Sequence, residues 1–151
     1  VSIYVTSKHI LFEFDNTRVV SRLLEGEYYK ISQMLSSDYE TKITINKKEF
    51  LNCIDRASLL IRESDKKPII IDIADHSLKL NINSFFGSME EEILIQKEGR
   101  DLLIGFNPKF LMDVLRVIDD EEINIYPKAP CYIKDDAGTY NYLILPVNFN
   151  H

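Results

Sequence analysis

Three histidines, two cysteines and several runs of acids have the chemistry to catalyse a reaction or to hold a metal, and their spacing argues against both. His9, His76 and His151 stand far apart, with no His-x-x-His or His-Glu spacing of the kind a metal site uses. Cys53 and Cys131 also lack metal-type spacing, and two isolated thiols read as small apolar fillers suited to a reducing cytoplasm. Carboxylate pairs occur in Glu90-Glu91-Glu92, in Asp119-Asp120-Glu121-Glu122 and in Asp135-Asp136. General acid–base work needs one carboxyl in a desolvated place, whereas these runs fall in turns and at strand edges. There is no Gly-rich phosphate loop and no Gly-x-Ser-x-Gly elbow. The chain therefore reads as non-enzymatic, with no cofactor and no metal.

The elements that would position a binding site follow from hydrophobic periodicity. Residues 1–5, 10–14 and 18–24 read as strands, with a turn at Asp15-Asn16-Thr17 and a stop at Gly26. Residues 28–35 read as a short helical turn or an irregular connector, and Ser36-Ser37-Asp38 as a linker. A strand at 41–45 stops at Asn46, which with Glu49 forms a capping-box candidate. The helix that follows repeats Phe50, Ile54, Ala57 and Ile61 along one face. Strands at 68–74, 77–83 and 88–95 come next, joined at Asp75-His76 and at Phe85-Phe86-Gly87-Ser88.

Then the pattern restarts. A strand at 101–106 ends at Asn107, Pro108 occupies the favoured first helical position, and the helix carries Phe110, Leu111, Val114, Leu115 and Ile118 on its apolar side. Strands at 122–126, 130–134 and 139–146 follow, with a last turn at Asp136-Ala137-Gly138. A strand–helix–three-strand unit of about 50–55 residues thus occurs twice, and residues 1–24 read as the last three strands of a further unit. Each helix has one apolar face and must cover one side of a sheet. The expectation is an α+β fold in which both helices lie on one side of a continuous antiparallel sheet.

Composition bounds the function. With 45% hydrophobic and 28% charged residues the chain is globular rather than disordered. No apolar run approaches the roughly 18 residues of a membrane span, and the first residues lack the order of a signal peptide. The chain starts at Val1, inside an alternating pattern, which reads as a fragment. A net charge of −6 has the wrong sign for a free-standing nucleic-acid binder. Its distribution is uneven: residues 46–62 and 107–118 together carry +3, which leaves −9 on the rest. A weakly positive lining with a repelling exterior suits a polyanion held without tight contacts, and solvated helix faces are the plainer reading of the same charges.

Several segments carry a resemblance. Leu24-Glu25-Gly26-Glu27-Tyr28-Tyr29, Arg56-Ala57-Ser58-Leu59-Leu60, Ile104-Gly105-Phe106-Asn107, Leu111-Met112-Asp113-Val114-Leu115 and Tyr142-Leu143-Ile144-Leu145-Pro146-Val147 occur in the order and spacing of a known family. The chain resembles the beta subunit of bacterial DNA polymerase III, the sliding clamp, over nearly its whole length. The resemblance implies a DNA-clamp fold, with residues 1–37 as the tail of the middle domain and 38–151 as the complete third domain. It implies a processivity factor that encircles duplex DNA independently of sequence and tethers the polymerase III catalytic subunit and the clamp loader, in the bacterial cytoplasm. The ring of the family is a head-to-tail dimer of three-domain chains, not expected of this fragment.

The same resemblance implies three sets of site residues. Lys47, Lys48, Arg56, Lys109 and Arg116 become candidates for facing DNA. A pocket for a partly hydrophobic partner peptide would draw on Tyr29, Gln33 and Met34, on Asn107 and Phe110, on Ala129 and Cys131, and on Leu143, Ile144, Leu145, Pro146, Val147, Asn148 and Phe149. Leu59, Leu60, Glu90 and Glu91 match the edge that meets the neighbouring subunit. The sequence departs from the family at Tyr29, where Pro is usual, and at Asn148 and near Gln33, where Arg is common. Without the resemblance, a stand-alone protein-interaction module unrelated to DNA is the alternative.

Overall fold

The computed structural model describes residues 1–28, 30, 39–62, 67–135 and 137–149. The chain divides into two compact units, Val1–Leu35 and Ser36–His151. In the first, β1 (Ser2–Val5), β2 (His9–Phe14) and β3 (Thr17–Arg22) form an antiparallel meander in that order. Asp15 takes a positive φ of 50° in the β2–β3 turn, a conformation short polar residues tolerate. Three strands bury little: Ile3, Tyr4, Val5, Val19 and Val20 are all exposed.

Among the described residues, the second unit has two sheets and two helices. β4 (Thr41–Asn46) leads into α1 (Lys47–Ser58), then β5 (Ile69–Ala74), β6 (Ser77–Ser84), β7 (Gly87–Leu94) and β8 (Gln96–Gly99). β9 (Leu102–Phe106) leads into α2 (Pro108–Leu115), then β10 (Glu122–Tyr126), β11 (Cys131–Lys134) and β12 (Asn141–Ile144). One sheet runs β12-β11-β10-β4-β8 and the other β7-β6-β5-β9, every pairing antiparallel.

The continuous sheet expected from the repeat is therefore a pair of sheets. The first strand of each repeat crosses to the other sheet: β4 pairs with β10, setting Ile43 against Ile125, while β9 pairs with β5, setting Ile104 against Ile71. A helix after the first strand carries the chain across, so the three strands that follow build the opposite layer. The run expected at 88–95 also continues into a separate strand, β8, which leaves the β7 sheet and pairs with β4.

Both helices start where side-chain caps satisfy orphan amides. Asn46 Oδ1 accepts from the Glu49 N–H at 3.0 Å, and Asn107 Oδ1 from the Lys109 N–H at 3.0 Å, with Pro108 behind it. α1 buries Phe50, Cys53, Ile54 and Ala57, and α2 buries Leu111 and Leu115. The helices pack on each other; α1 also meets β4, β6 and β7, and α2 meets β12. Lys47 at the start of α1 donates to the Ile118 carbonyl just past the end of α2, so the two run antiparallel. One apolar core joins them to both sheets through residues such as Ile45, Ile71, Leu80, Ile123 and Ile133. Each such side chain contributes about 1.5–3 kcal/mol on burial. Neither helix is buried all round, and each keeps a polar outer face.

Candidate functional site

Among the described residues β12 is an edge strand hydrogen-bonded to β11 alone, and its alternation sorts its side chains. Ile144 enters the core and Tyr142 packs against it, whereas Leu143 and Leu145 face out, 37% and 66% exposed. Phe110, in the first turn of the helix that abuts β12, is 53% exposed. Three large apolar side chains thus stay in water on β12 and on the helix beside it, surface of the kind a partner peptide can cover.

The chain after β12 runs across to β9. The Val147 N–H donates to the Gly105 carbonyl at 2.9 Å. Pro146, Val147, Asn148 and Phe149 form one wall of a groove of about 390 Å³, with residues 102–105 and 127–129 opposite, including Ala129. Of the remaining expected pocket residues, Asn107 is occupied as the cap of α2. Cys131 and Ile144 are fully buried, so as side chains they back the wall instead of facing a partner; strand parity turns both inward. Tyr29, Gln33 and Met34 lie outside the described residues.

The outer faces of the helices border a second cleft, of about 520 Å³, where the end of α1 meets the start of α2. Among the described residues, Arg62, Lys67, Lys109 and Arg116 line it together with one acid, Asp113. Clustered like charges at a concave surface raise the local potential, here positive. The expected cations differ in their engagement. Lys48 and Lys109 extend into solvent, and Arg116 lies 3.5 Å from Asp55. Lys47 reaches the Ile118 carbonyl. Arg56 is exposed but is not a spare charge: its Nε donates to Glu91 Oε1 at 2.6 Å and its Nη2 bonds the second oxygen. That fork raises the guanidinium pKa and holds the Glu91 carboxyl below its usual range.

Among the described residues, β7 is an edge of the other sheet, paired with β6 alone. Glu90 and Glu92 point away from the helices, and Glu91 points toward α1. Leu59, just after α1, is 83% exposed, while Leu60 packs on the core. The β6–β7 hairpin tip carries Phe85, 93% exposed, edge-to-face on Phe86 at 5.6 Å, with the Arg62 guanidinium 4.5 Å from the Phe86 ring centre.

No group of three metal-ligating side chains occurs among the described residues. Cys53 and Cys131 are buried thiols, each pushed up to about 12 chiefly by desolvation, and so inert as nucleophiles at neutral pH. His9 and His76 sit on the surface, and His151 lies outside the described residues. Asp135 is held by its own turn, accepting from the Thr139 N–H at 2.9 Å and from the Thr139 hydroxyl at 2.5 Å.

Residues 32–148 match the profile of the C-terminal domain of the DNA polymerase III beta subunit. The chain belongs to the DNA polymerase III beta subunit family. It is 36% identical over 155 aligned residues to the beta sliding clamp of Staphylococcus aureus, covering 97% of this chain and 41% of that protein. A crystal structure assigned to the DNA polymerase III beta subunit of Eubacterium rectale superposes with a TM-score of 0.88 at 66% identity, over 99% of this chain and 41% of the other. The Bacillus subtilis DNA polymerase sliding clamp gives 0.84 at 35% identity, over 98% and 41%. This member of the beta family thus spans about two-fifths of the length of these relatives.

Three features of this beta-family chain escape a reading of its sequence. Phe85 and Phe86 read as turn residues and stand out as an exposed pair only once the hairpin is formed. Lys67, outside both helices, lines the cationic cleft. Gly105 receives the segment after β12, and a glycine inside a strand is itself a sign of close approach.

Proposed function

We propose that this chain is part of a sliding clamp, with residues 1–37 forming the end of its middle domain and 38–151 its third domain. The whole protein is a processivity factor of the bacterial cytoplasm that encircles duplex DNA without reading its sequence and catalyses nothing itself. The observation that carries the reading is the pair of antiparallel helices, whose apolar faces share one core while their outer faces border a cleft lined by Arg62, Lys67, Lys109 and Arg116. Diffuse positive charge on rigid helices attracts phosphates without fixing a register, which is what sliding requires.

Two further surfaces complete the reading. Phe110, Leu143 and Leu145 are the apolar anchorage for short peptides of the polymerase III catalytic subunit and the clamp loader. Leu59, Leu60 and the β7 edge, with Glu90 and Glu92 outward, meet a second protomer and close the ring. Glu91, engaged by Arg56, supports that edge from behind.

The test is retention on DNA. The full-length protein, loaded on a nicked circular plasmid, stays bound through gel filtration and is lost when the plasmid is linearised. Lys48→Glu with Lys109→Glu reduces loading on the circle and leaves peptide binding unchanged. Equal retention on linear and circular DNA contradicts the reading. The 151-residue chain binds a Leu- and Phe-anchored peptide much more weakly than the full-length protein, since each anchor left uncovered forgoes about 1.5–3 kcal/mol; equal affinities in a fluorescence titration contradict the shared pocket.

A further inference from the structure

We infer that Gly105 is the seat of the C-terminal tail and, through it, a positioning residue for the apolar strip around β12. A glycine in a strand interior weakens the strand and leaves nothing to pack, so its presence at the middle of β9 needs a reason. Alternation supplies part of it. Ile104 and Phe106 point into the core, which turns positions 103 and 105 outward. Leu103 is accordingly exposed, yet Gly105 is buried.

The Phe149 ring is what covers it. A Cβ placed on Gly105 would stand 2.6 Å from Phe149 Cδ1, 3.1 Å from Cε1 and 3.1 Å from the Val147 carbonyl oxygen. Carbon atoms do not approach to 2.6 Å, and the group that must give way is a phenyl ring near the end of the chain rather than the packed core. The Val147 N–H donates at the same residue, to the Gly105 carbonyl at 2.9 Å. One residue therefore receives the tail twice, along the strand edge and on the outer face.

The seat matters because of what lies between its anchors. Ile144 is fixed in the core below one sheet, Val147 is fixed on β9 of the other, and only Leu145 and Pro146 span the gap. The proline ring restricts the backbone of that bridge further. Leu145, 66% exposed, is thereby held out in one place rather than on a loose end. Preorganisation of an exposed anchor lowers the entropy lost when a partner covers it. This rests on the peptide-binding reading above, and Gly105 has no contact with a partner in it.

The experiment uses Gly105→Ala, Phe149→Ala and the double variant of the 151-residue chain, with two readouts. Amide exchange at Val147, followed by NMR without any ligand, reports the seat; titration of a fluorescein-labelled peptide carrying Leu and Phe anchors reports the consequence. Each single variant is expected to speed Val147 exchange by about tenfold and to weaken peptide binding by about three- to tenfold. The double variant matches Phe149→Ala in both, because the alanine methyl then occupies space the ring has left; a simple loss of fold would not be rescued in this way. Unchanged Val147 exchange in Gly105→Ala, or additive losses in the double variant, overturn the inference. Coupled exchange with no peptide binding by the unmutated chain overturns the peptide reading and the positioning role, and leaves the seat of the tail standing.

Discussion

Arg56 and Glu91 show how strand phase decides what a charge is for. Residues 89, 91 and 93 share one face of β7, so Glu91 lies on the side of Ile93 and meets α1, while Glu90 and Glu92 face away. The forked pair holds the Glu91 carboxyl below its usual range, the hydrogen bonds from Arg56 being the largest cause. A carboxyl whose folded pKa is depressed stabilises above its unfolded pKa, and that contribution disappears as pH falls through the folded value. Glu91→Gln is therefore expected to lower the thermal midpoint slightly at neutral pH, with the difference closing as the pH falls through the depressed range of that carboxyl, since exposed pairs are worth little and only the ionised form is favoured. A gap of constant size across that range, measured by circular dichroism melts, counts against the pairing. Much of this was legible in the sequence: Met89, Ile93 and Ile95 fix the inward parity, and Glu91 falls on it. Its partner was not, because Arg56 is distant in the chain and nothing local points to it.

At the scale of elements, the two helices are the parts most fully written into local sequence. Asn46 and Asn107 mark their starts, and the spacing of Phe50, Ile54 and Ala57 or of Leu111 and Leu115 fixes their buried faces. Asn46→Ala and Asn107→Ala are each expected to cost about 0.5–2 kcal/mol in urea unfolding, as a cap lost from a first turn does. Phe50→Ala, which empties a space in the centre of the core, is expected to cost about 3–5 kcal/mol. A Phe50→Ala loss no greater than a cap loss would mean that α1 does not pack as described. The break between β7 and β8 was not legible. Ile93 and Ile95 are both buried and continue one alternation, with no Gly or Pro between them, although the ladder changes sheet there. Nor could the division into two sheets be read, since hydrogen-bond partners many residues apart leave no trace in a two-residue period. For the candidate site, the exposed Leu143 and Leu145 follow from strand parity, whereas the return of the tail to β9 depends on a contact across the molecule.

For the molecule as a whole, the two compact units differ in how well they protect their hydrogen bonds. The first is a three-stranded meander with much of its apolar surface in water, and the second carries the buried core. Amide exchange is expected to divide accordingly, with β1 to β3 exchanging orders of magnitude faster than β5, β6 and β10. Uniform protection would show that the first unit has a core of its own. The two edges of the β7-β6-β5-β9 sheet differ as well. β9 is capped by Val147 and Phe149, so β7 is the edge left open to another chain, and a variant ending at residue 145 exposes both.

The crossing of β4 and β9 between the sheets bears on how the protein is made. β4 leaves a ribosome well before its hydrogen-bonded neighbour β10, which begins at Glu122, and β5 lacks its second neighbour until β9 emerges. Neither repeat can finish a core from its own residues, so the duplicated halves ripen together, late, in a single cooperative step.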